Sequence, residues 1–327
     1  MNFALIGCGS VGRKRLSALK STQQRLVAVV DLAIENANNT AKEYNAVVAT
    51  TDWESVVNHK DVDAIIISTT HDWLAPITLA AVQMGKHVLV EKPAARNVEE
   101  LTAIISAAEQ RRVCVQVGFN HRYHPAFQKA RQIFESGDLG KLMYVRGRYG
   151  HGGRLGYERE WRANLKISGG GELIDQGVHL IDLARWFLGD FAYVNGYTNT
   201  YFWDTPVEDN AFFLLRTIDE QAAWLHTSWT EWKNLFSFEI FGRKGKLQID
   251  GLGGSYGQER LSFYQMSPEM GPPKELVWDY PDEDISWRNE INAFVRAIEN
   301  KTLPEVTLYD AKAVLTIVNQ IYEGVKK

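Results

Sequence analysis

The sequence predicts an α/β N-terminal domain with a doubly wound parallel sheet, then an α+β C-terminal domain with a large, mostly antiparallel open sheet. Two observations carry this. From Met1 to about Asn120, short apolar runs alternate with helical patterns, the mark of successive strand–helix units. From Phe191 to about Tyr264 the period changes to two, and aromatic and β-branched residues dominate. The length of 327 residues suits two domains at roughly 100–200 residues each. We place them at residues 1–122 and 123–327, with the closing helix at about 309–322 free to pack back on the first domain.

The runs Phe3–Ile6, Leu26–Val30, Ala64–Ile67, His87–Val90 and Val113–Val117 are apolar throughout. Strands of that kind are covered on both faces. Helical patterns over Val11–Lys20, Ile34–Tyr44, Leu74–Met84 and Val98–Gln110 supply the cover. Beyond Gly118 come a helix at Pro125–Ser136, a strand at Leu142–Tyr149, a loop over His151–Ser168 and a helix to about Leu188. Ala211–Thr217, Ala222–Thr230 and Phe236–Phe241 read as half-buried strands, and helices at about Trp287–Glu299 and Tyr309–Tyr322 close the chain. Of Tyr201, Phe202, Trp203, Trp224, Trp229, Trp232, Phe236 and Phe238, about half are expected in the core. The others would lie on a sheet face that buries against a second subunit, in a homodimer or homotetramer.

Composition narrows the partners. Hydrophobic residues make up 45% and charged residues 23%, with a net charge of -4, so no basic surface for nucleic acid or anionic membrane is indicated. Two cysteines, Cys8 and Cys114, cannot form a disulfide framework, which suits a reducing cytoplasm. The N-terminus runs straight into a strand pattern without a signal-peptide pattern, and no apolar stretch of about 18 residues occurs.

Gly7-Cys8-Gly9-Ser10-Val11-Gly12 follows a strand and opens a helix. There the glycines allow a tight turn, close approach of a pyrophosphate and close helix–strand packing, while the helix N-terminus favours anions. With Asp31 ending the second strand, this is the dinucleotide fingerprint of a Rossmann domain. A carboxylate at that point accepts from the adenosine ribose diol and repels a 2′-phosphate, so NAD is expected over NADP. Leu32 and Ala33 offer no arginine to a phosphate; Arg13, Lys14 and Arg15 read as a solvated basic helix face.

Three further segments are informative. They are Gly85-Lys86-His87-Val88-Leu89-Val90-Glu91-Lys92-Pro93, Gly118-Phe119-Asn120-His121-Arg122-Tyr123-His124-Pro125, and the run from Gly169 through Glu172, Asp175, Gly177 and His179 to Asp182. In this order and spacing they resemble the Gfo/Idh/MocA family of oxidoreductases, which includes glucose–fructose oxidoreductase and inositol dehydrogenase. The resemblance implies an NAD(P)-dependent dehydrogenase moving a hydride between nicotinamide and a secondary alcohol or ketone of a sugar, nucleotide sugar or cyclitol. It makes 1–122 the cofactor domain and 123–327 the substrate and oligomerisation domain. It also puts Lys92, Asp175 and His179 around the reacting carbon.

The residues agree with this. Lys92 follows an apolar strand at the carboxyl edge of the sheet, where open α/β folds bind ligands. A lysine desolvated beside an apolar ring gives up its proton more readily and can orient an alcohol. Asp175 and His179, spaced i and i+4, would project from one helix face, with Asp182 a turn further on. Histidine suits taking the hydroxyl proton. These residue types could also ligate a metal, but hydride transfer to nicotinamide needs none, and no metal is expected. Pro93 is a candidate for a cis peptide bond.

Ser68, Thr69, His71, Glu91 and Asn120 join Lys92 and the glycine loop as expected cofactor contacts. The family often has Thr-Pro-Asn where this chain has Thr69-Thr70-His71, so His71 is expected to replace the asparagine. For the substrate, Arg122, Tyr149, Arg154, Trp161 and Arg162 are candidates beside Lys92, Asp175 and His179. Arg154, Arg159 and Arg162 could grip phosphate or carboxylate, and Trp161 or Tyr157 could stack on a sugar face. Two other readings stand open: a glycosidase using tightly bound NAD for transient oxidation, and a non-catalytic NAD sensor. Intact Lys92, Asp175 and His179 argue against the sensor.

Overall fold

The computed structural model describes residues 1–325 except 270 and 282, and it separates into two compact units. The first contains Met1–Phe119 and Trp287–Leu315; the second contains Asn120–Ser286 and Thr316–Lys327.

The first unit holds six parallel strands: β1 (Asn2–Ile6), β2 (Arg25–Val30), β3 (Val48–Thr50), β4 (Ala64–Ile67), β5 (His87–Glu91) and β6 (Val115–Gly118). Their order is β3-β2-β1-β4-β5-β6, so the winding reverses between β1 and β4. Residues Ile6, Ile67 and Val90 lie in register, and Gly7, Ser68 and Glu91 therefore emerge along one carboxyl edge. This is the switch point of a doubly wound sheet. The three-residue edge strand β3, only half-buried, was not among the apolar runs read from sequence.

Trp287 and the residues after it, in the helix Ser286–Asn300, cluster with this unit rather than with the strands that precede them. The reason is packing. Ile291, Phe294 and Val295 enter the core of Phe3, Leu5, Leu16, Val29 and Leu89, and Phe294 meets Phe3 edge-on at 6.3 Å. The helix expected from Leu74 begins at His71, a turn earlier, after an extended Thr70. Both cysteines are free and buried, and burial pushes their thiols up to about 11 for Cys8 and about 12 for Cys114.

The second unit carries eight strands: β7 (Leu142–Gly150), β8 (Tyr193–Asn199), β9 (Asn210–Arg216), β10 (Ala222–Ser228), β11 (Leu235–Gly242), β12 (Gly245–Asp250), β13 (Glu259–Gln265) and β14 (Lys274–Tyr280). The order is β14-β13-β12-β11-β7-β10-β9-β8, antiparallel except for β7 beside β10. The helix Val178–Leu188 covers one face so closely that a Cβ at Gly147 of β7 would meet Leu180 at 3.2 Å. Along β9, Ala211, Phe213 and Leu215 are buried while Phe212 and Leu214 are exposed, the period of a sheet covered on one side. Trp229, Phe236 and Phe238 belong to the core, whereas Tyr201, Phe202, Trp224 and Trp232 are exposed and Trp203 is half-buried. Among the described residues no helix is long and apolar enough to cross a membrane.

Candidate active site

The first unit provides a cradle for a dinucleotide. Gly7 has φ +99°, and a Cβ on Gly12 would lie 2.1 Å from the Gly7 carbonyl, so both positions require glycine. A Cβ on Gly9 would meet nothing within 4 Å, the open space a close-lying pyrophosphate needs. The helix Ser10–Lys20 starts there with no side chain capping its N–H groups. Asp31 is oriented by three donors: the Cys8 N–H at 2.9 Å, the Ala33 N–H at 3.0 Å and the Asn36 amide at 3.2 Å. A carboxylate has about four acceptor sites, so one remains for a ribose hydroxyl. Ser68 locks the glycine turn by donating to the Gly7 carbonyl at 2.8 Å. Thr69 and His71 follow it, His71 buried at the start of its helix.

Lys92 follows Glu91 at the end of β5, and the Lys92–Pro93 peptide is cis. Glu91 points inward to Arg15, whose Nε donates to it at 2.7 Å. Arg15 also pairs with Glu290 and stacks on Trp287, its guanidinium 4.5 Å from the ring centroid. Burial works against that charge, but Glu290 and Glu91 more than offset it, so the guanidinium is held above its ordinary range. The basic cluster of the first helix is therefore not uniformly solvated: Arg13 and Lys14 are exposed, and Arg15 is fully buried. Glu91 and Glu290 stand 76 and 275 residues along the chain from Arg15, so sequence spacing gives no hint of the triad.

The second unit gathers the remaining candidates. The glycine run Gly169–Gly171 is needed because a Cβ on Gly171 would meet the Glu208 carbonyl at 2.0 Å. Glu208, buried, accepts from the Gly171 and Leu173 N–H groups at 3.0 Å and from Tyr322 at 2.7 Å, and so fixes the turn that leads to Asp175. The segment Leu173–Gly177 is a π-helical turn, which then joins the helix Val178–Leu188. The regular i, i+4 helix expected across Asp175 and His179 is thus interrupted. Asp175 accepts from Arg162 Nε at 2.9 Å, while His179 stacks on His121 with ring centroids 3.8 Å apart. Asp182 lies elsewhere: it forms a two-pronged buried pair with Arg122 at 2.6 and 2.8 Å.

Arg122, a substrate candidate from the sequence, is engaged by Asp182 in this structure. Arg154 pairs with Glu160 at 2.6 Å, and the Arg162 guanidinium lies 4.5 Å from the Trp161 ring centroid. Asn120 donates to Ser286 at 3.1 Å and meets His121 Nδ1 at 3.2 Å, so its amide orients the histidine stack. Tyr149 on β7 lies 5.3 Å from His121 and 6.2 Å from His179, ring to ring.

Sequence reasoning missed Tyr256, Glu172 and the role of His121. Burial, the adjacent Tyr256 and the charges of Glu172 and Asp175 hold the Tyr149 phenol well above its usual range. Burial first, then Asp175 and Glu172, raise Tyr157 as well. Burial lowers His151, with Arg162 and Arg154 adding to this and Asp175 opposing it. The result is a compact polar cluster of phenols, imidazoles and carboxylates around Asp175.

The model described as "Oxidoreductase family, NAD-binding Rossmann fold" matches residues 1–119, and the "GFO/IDH/MocA C-terminal domain" matches residues 127–248. Levoglucosan dehydrogenase of Pseudarthrobacter phenanthrenivorans is 29% identical over 229 residues, 67% of this chain and 59% of that protein. Inositol 2-dehydrogenase 2 of Saccharopolyspora erythraea is 31% identical over 58% of this chain and 54% of that protein. The match thus spans little more than half the length of these curated relatives. Among solved structures, levoglucosan dehydrogenase in complex with NADH and levoglucosan superposes with a TM-score of 0.90 at 23% identity. That likeness covers 100% of this chain and 97% of the other, and it speaks to the fold. With the glycine loop, the Lys92 strand end and the Asp175–His179 segment in place, the two matched models identify the chain as a member of the GFO/IDH/MocA family of NAD-binding oxidoreductases.

Proposed function

We propose that the protein is an NAD-dependent dehydrogenase that oxidises a secondary alcohol of a neutral sugar or cyclitol, or reduces the matching ketone. The carrying observation is the carboxyl edge of the first sheet, where the glycine loop, Ser68 and the Glu91–Lys92 strand end emerge in register. When bound, NAD supplies the hydride acceptor. Asp31 selects it through the ribose diol, and the Ser10–Lys20 helix N-terminus receives its pyrophosphate. Lys92 orients the substrate hydroxyl, and His179 takes its proton. Asp175, held by Arg162, orients a second hydroxyl. The pairing of Arg122, Arg154 and Arg162 with carboxylates favours an uncharged substrate over a nucleotide-linked one. The exposed aromatic face of the eight-stranded sheet, with Trp224, Tyr197 and Phe212, suits a homodimer or homotetramer. Two buried free thiols suit the cytoplasm.

The test is NADH formation from NAD+ with levoglucosan, myo-inositol, D-xylose and D-glucose. Accumulating NADH supports a dehydrogenase; glycoside cleavage without NADH release would instead support transient oxidation on retained cofactor. Replacing Asp31 by Ser together with Leu32 by Arg should shift preference towards NADP by about tenfold or more, since a repulsion is removed and a phosphate donor added. Titration of nucleotide fluorescence measures this, and tighter binding of NADPH than NADH by the parent would defeat the reading of Asp31. His179→Asn should cost roughly 100-fold in turnover and flatten the acid limb of the oxidation rate, because Asn cannot accept the proton. A parental rate and pH profile would reduce His179 to a structural residue stacked on His121.

A further inference from the structure

We propose that the Gly251–Gly257 loop is a substrate-recognition segment, and that Tyr256 near its tip binds a ring face and a hydroxyl of the polyol substrate. This rests on the dehydrogenase reading above and adds to it a contact residue on a different part of the chain. The loop joins β12 to β13, an antiparallel pair that a two-residue turn could connect. Instead the chain curls through residues 251–258 with positive φ at Gly251, Gly253, Gly254 and Gly257. At Gly251 the curl leaves no alternative, since a Cβ there would lie 2.1 Å from the Gln258 carbonyl.

The curl is built, not slack. Tyr256 N–H donates to the Leu252 carbonyl at 3.2 Å, Gly257 N–H to Gly254 at 3.2 Å, and the Asn234 amide to the Ser255 carbonyl at 2.8 Å. Leu252 is buried and anchors one side. The outcome is that Tyr256 meets Tyr149 edge to face with ring centroids 4.9 Å apart. Tyr149 in turn lies against the His121–His179 stack, so the loop tip reaches the same cluster as the proposed proton acceptor.

A tyrosine that only filled space would gain nothing from its hydroxyl here, and phenylalanine would serve. The hydroxyl instead shares a hydrogen bond with Tyr149. Burial, then Glu172, push its phenol up to about 12, so it stays protonated throughout the working range. A permanent donor, an aromatic face and nearby carboxylates match a ring with alternating C–H faces and hydroxyl edges.

Tyr256→Phe and Tyr256→Ala are to be compared with the parent on levoglucosan, myo-inositol, D-xylose and D-glucose, with NADH affinity measured by fluorescence. Tyr256→Phe should raise KM for the best of these about 5–10-fold, the loss of one hydrogen bond, with kcat within about threefold and NADH affinity unchanged. Tyr256→Ala should raise KM further and alter the order of preference among the four. Parental KM values in both variants overturn the proposal, as does a joint fall in kcat and NADH affinity, which marks a structural role. A parent that binds NADH yet oxidises none of the four overturns the dehydrogenase reading and this proposal with it.

Discussion

Lys92→Ala is expected to lower turnover by a factor on the order of 100 or more while NADH affinity stays within about twofold, the pattern of a lost acid–base group rather than a lost binding contact. The position makes this a local change. Residues Val88, Leu89 and Val90 before it and Ala94 and Ala95 after it are all fully buried, so the strand end is held without the lysine's own side chain. Steady-state rates on the best polyol and thermal unfolding of the same sample separate the two effects. Lys92→Arg refines the test, because a guanidinium keeps the charge but cannot release its proton. If Lys92→Arg retains the parental rate, charge alone suffices and the proton belongs to His179. Turnover of Lys92→Ala within a few-fold of the parent removes the lysine from the chemistry altogether.

Arg15→Ala should be the most destabilising single change in the first unit. It would leave the carboxylates of Glu91 and Glu290 buried without their guanidinium, a loss of roughly 3–5 kcal/mol for a broken buried pair. At about 2–4 °C per kcal/mol for chains of this size, the unfolding midpoint should fall by on the order of 10 °C. Arg15→Met combined with Glu91→Gln and Glu290→Gln should recover much of that loss, since neutral groups of similar shape need no counter-charge. Calorimetry of both variants checks this, and a parental midpoint for Arg15→Ala would show the triad to be energetically idle.

The large pattern was legible because it depends on local chemistry. Apolar strands, the glycine loop and the carboxylate at Asp31 each follow from rules that act within a few residues, and the helix Ile34–Tyr44 appears with its expected bounds. What stayed hidden depends on contacts across long separations. The helix Ser286–Asn300 shows one apolar face in sequence, but nothing in that face says that Phe294 will meet Phe3. Arg15 looks like its exposed neighbours Arg13 and Lys14 until Glu290 is brought to it. The same holds for Arg122, whose partner Asp182 stands 60 residues away. Tyr256 left only a turn signal, a tyrosine among four glycines, and such signals mark a loop without saying what it carries. Local pattern reveals the scaffold, and pairing over distance decides which charged residues are free for ligand.

The π-helical turn at Leu173–Gly177 has a consequence for inheritance as much as for geometry. An α-helix advances about 100° per residue, and a π turn, bonded i to i+5, accommodates one residue more than the regular helix would. Everything after it, His179 included, is therefore phased by that one residue. A change of one residue in the length of this segment that its winding did not absorb would rotate His179 by about 100° relative to the chain before it, with the imidazole itself unchanged. The imidazole would leave its stack on His121, and the site would be lost without the loss of any site residue. A single-codon length change here is thus a graver event than most substitutions, and the spacing between Glu172 and His179 is as much a part of the site as the residues themselves.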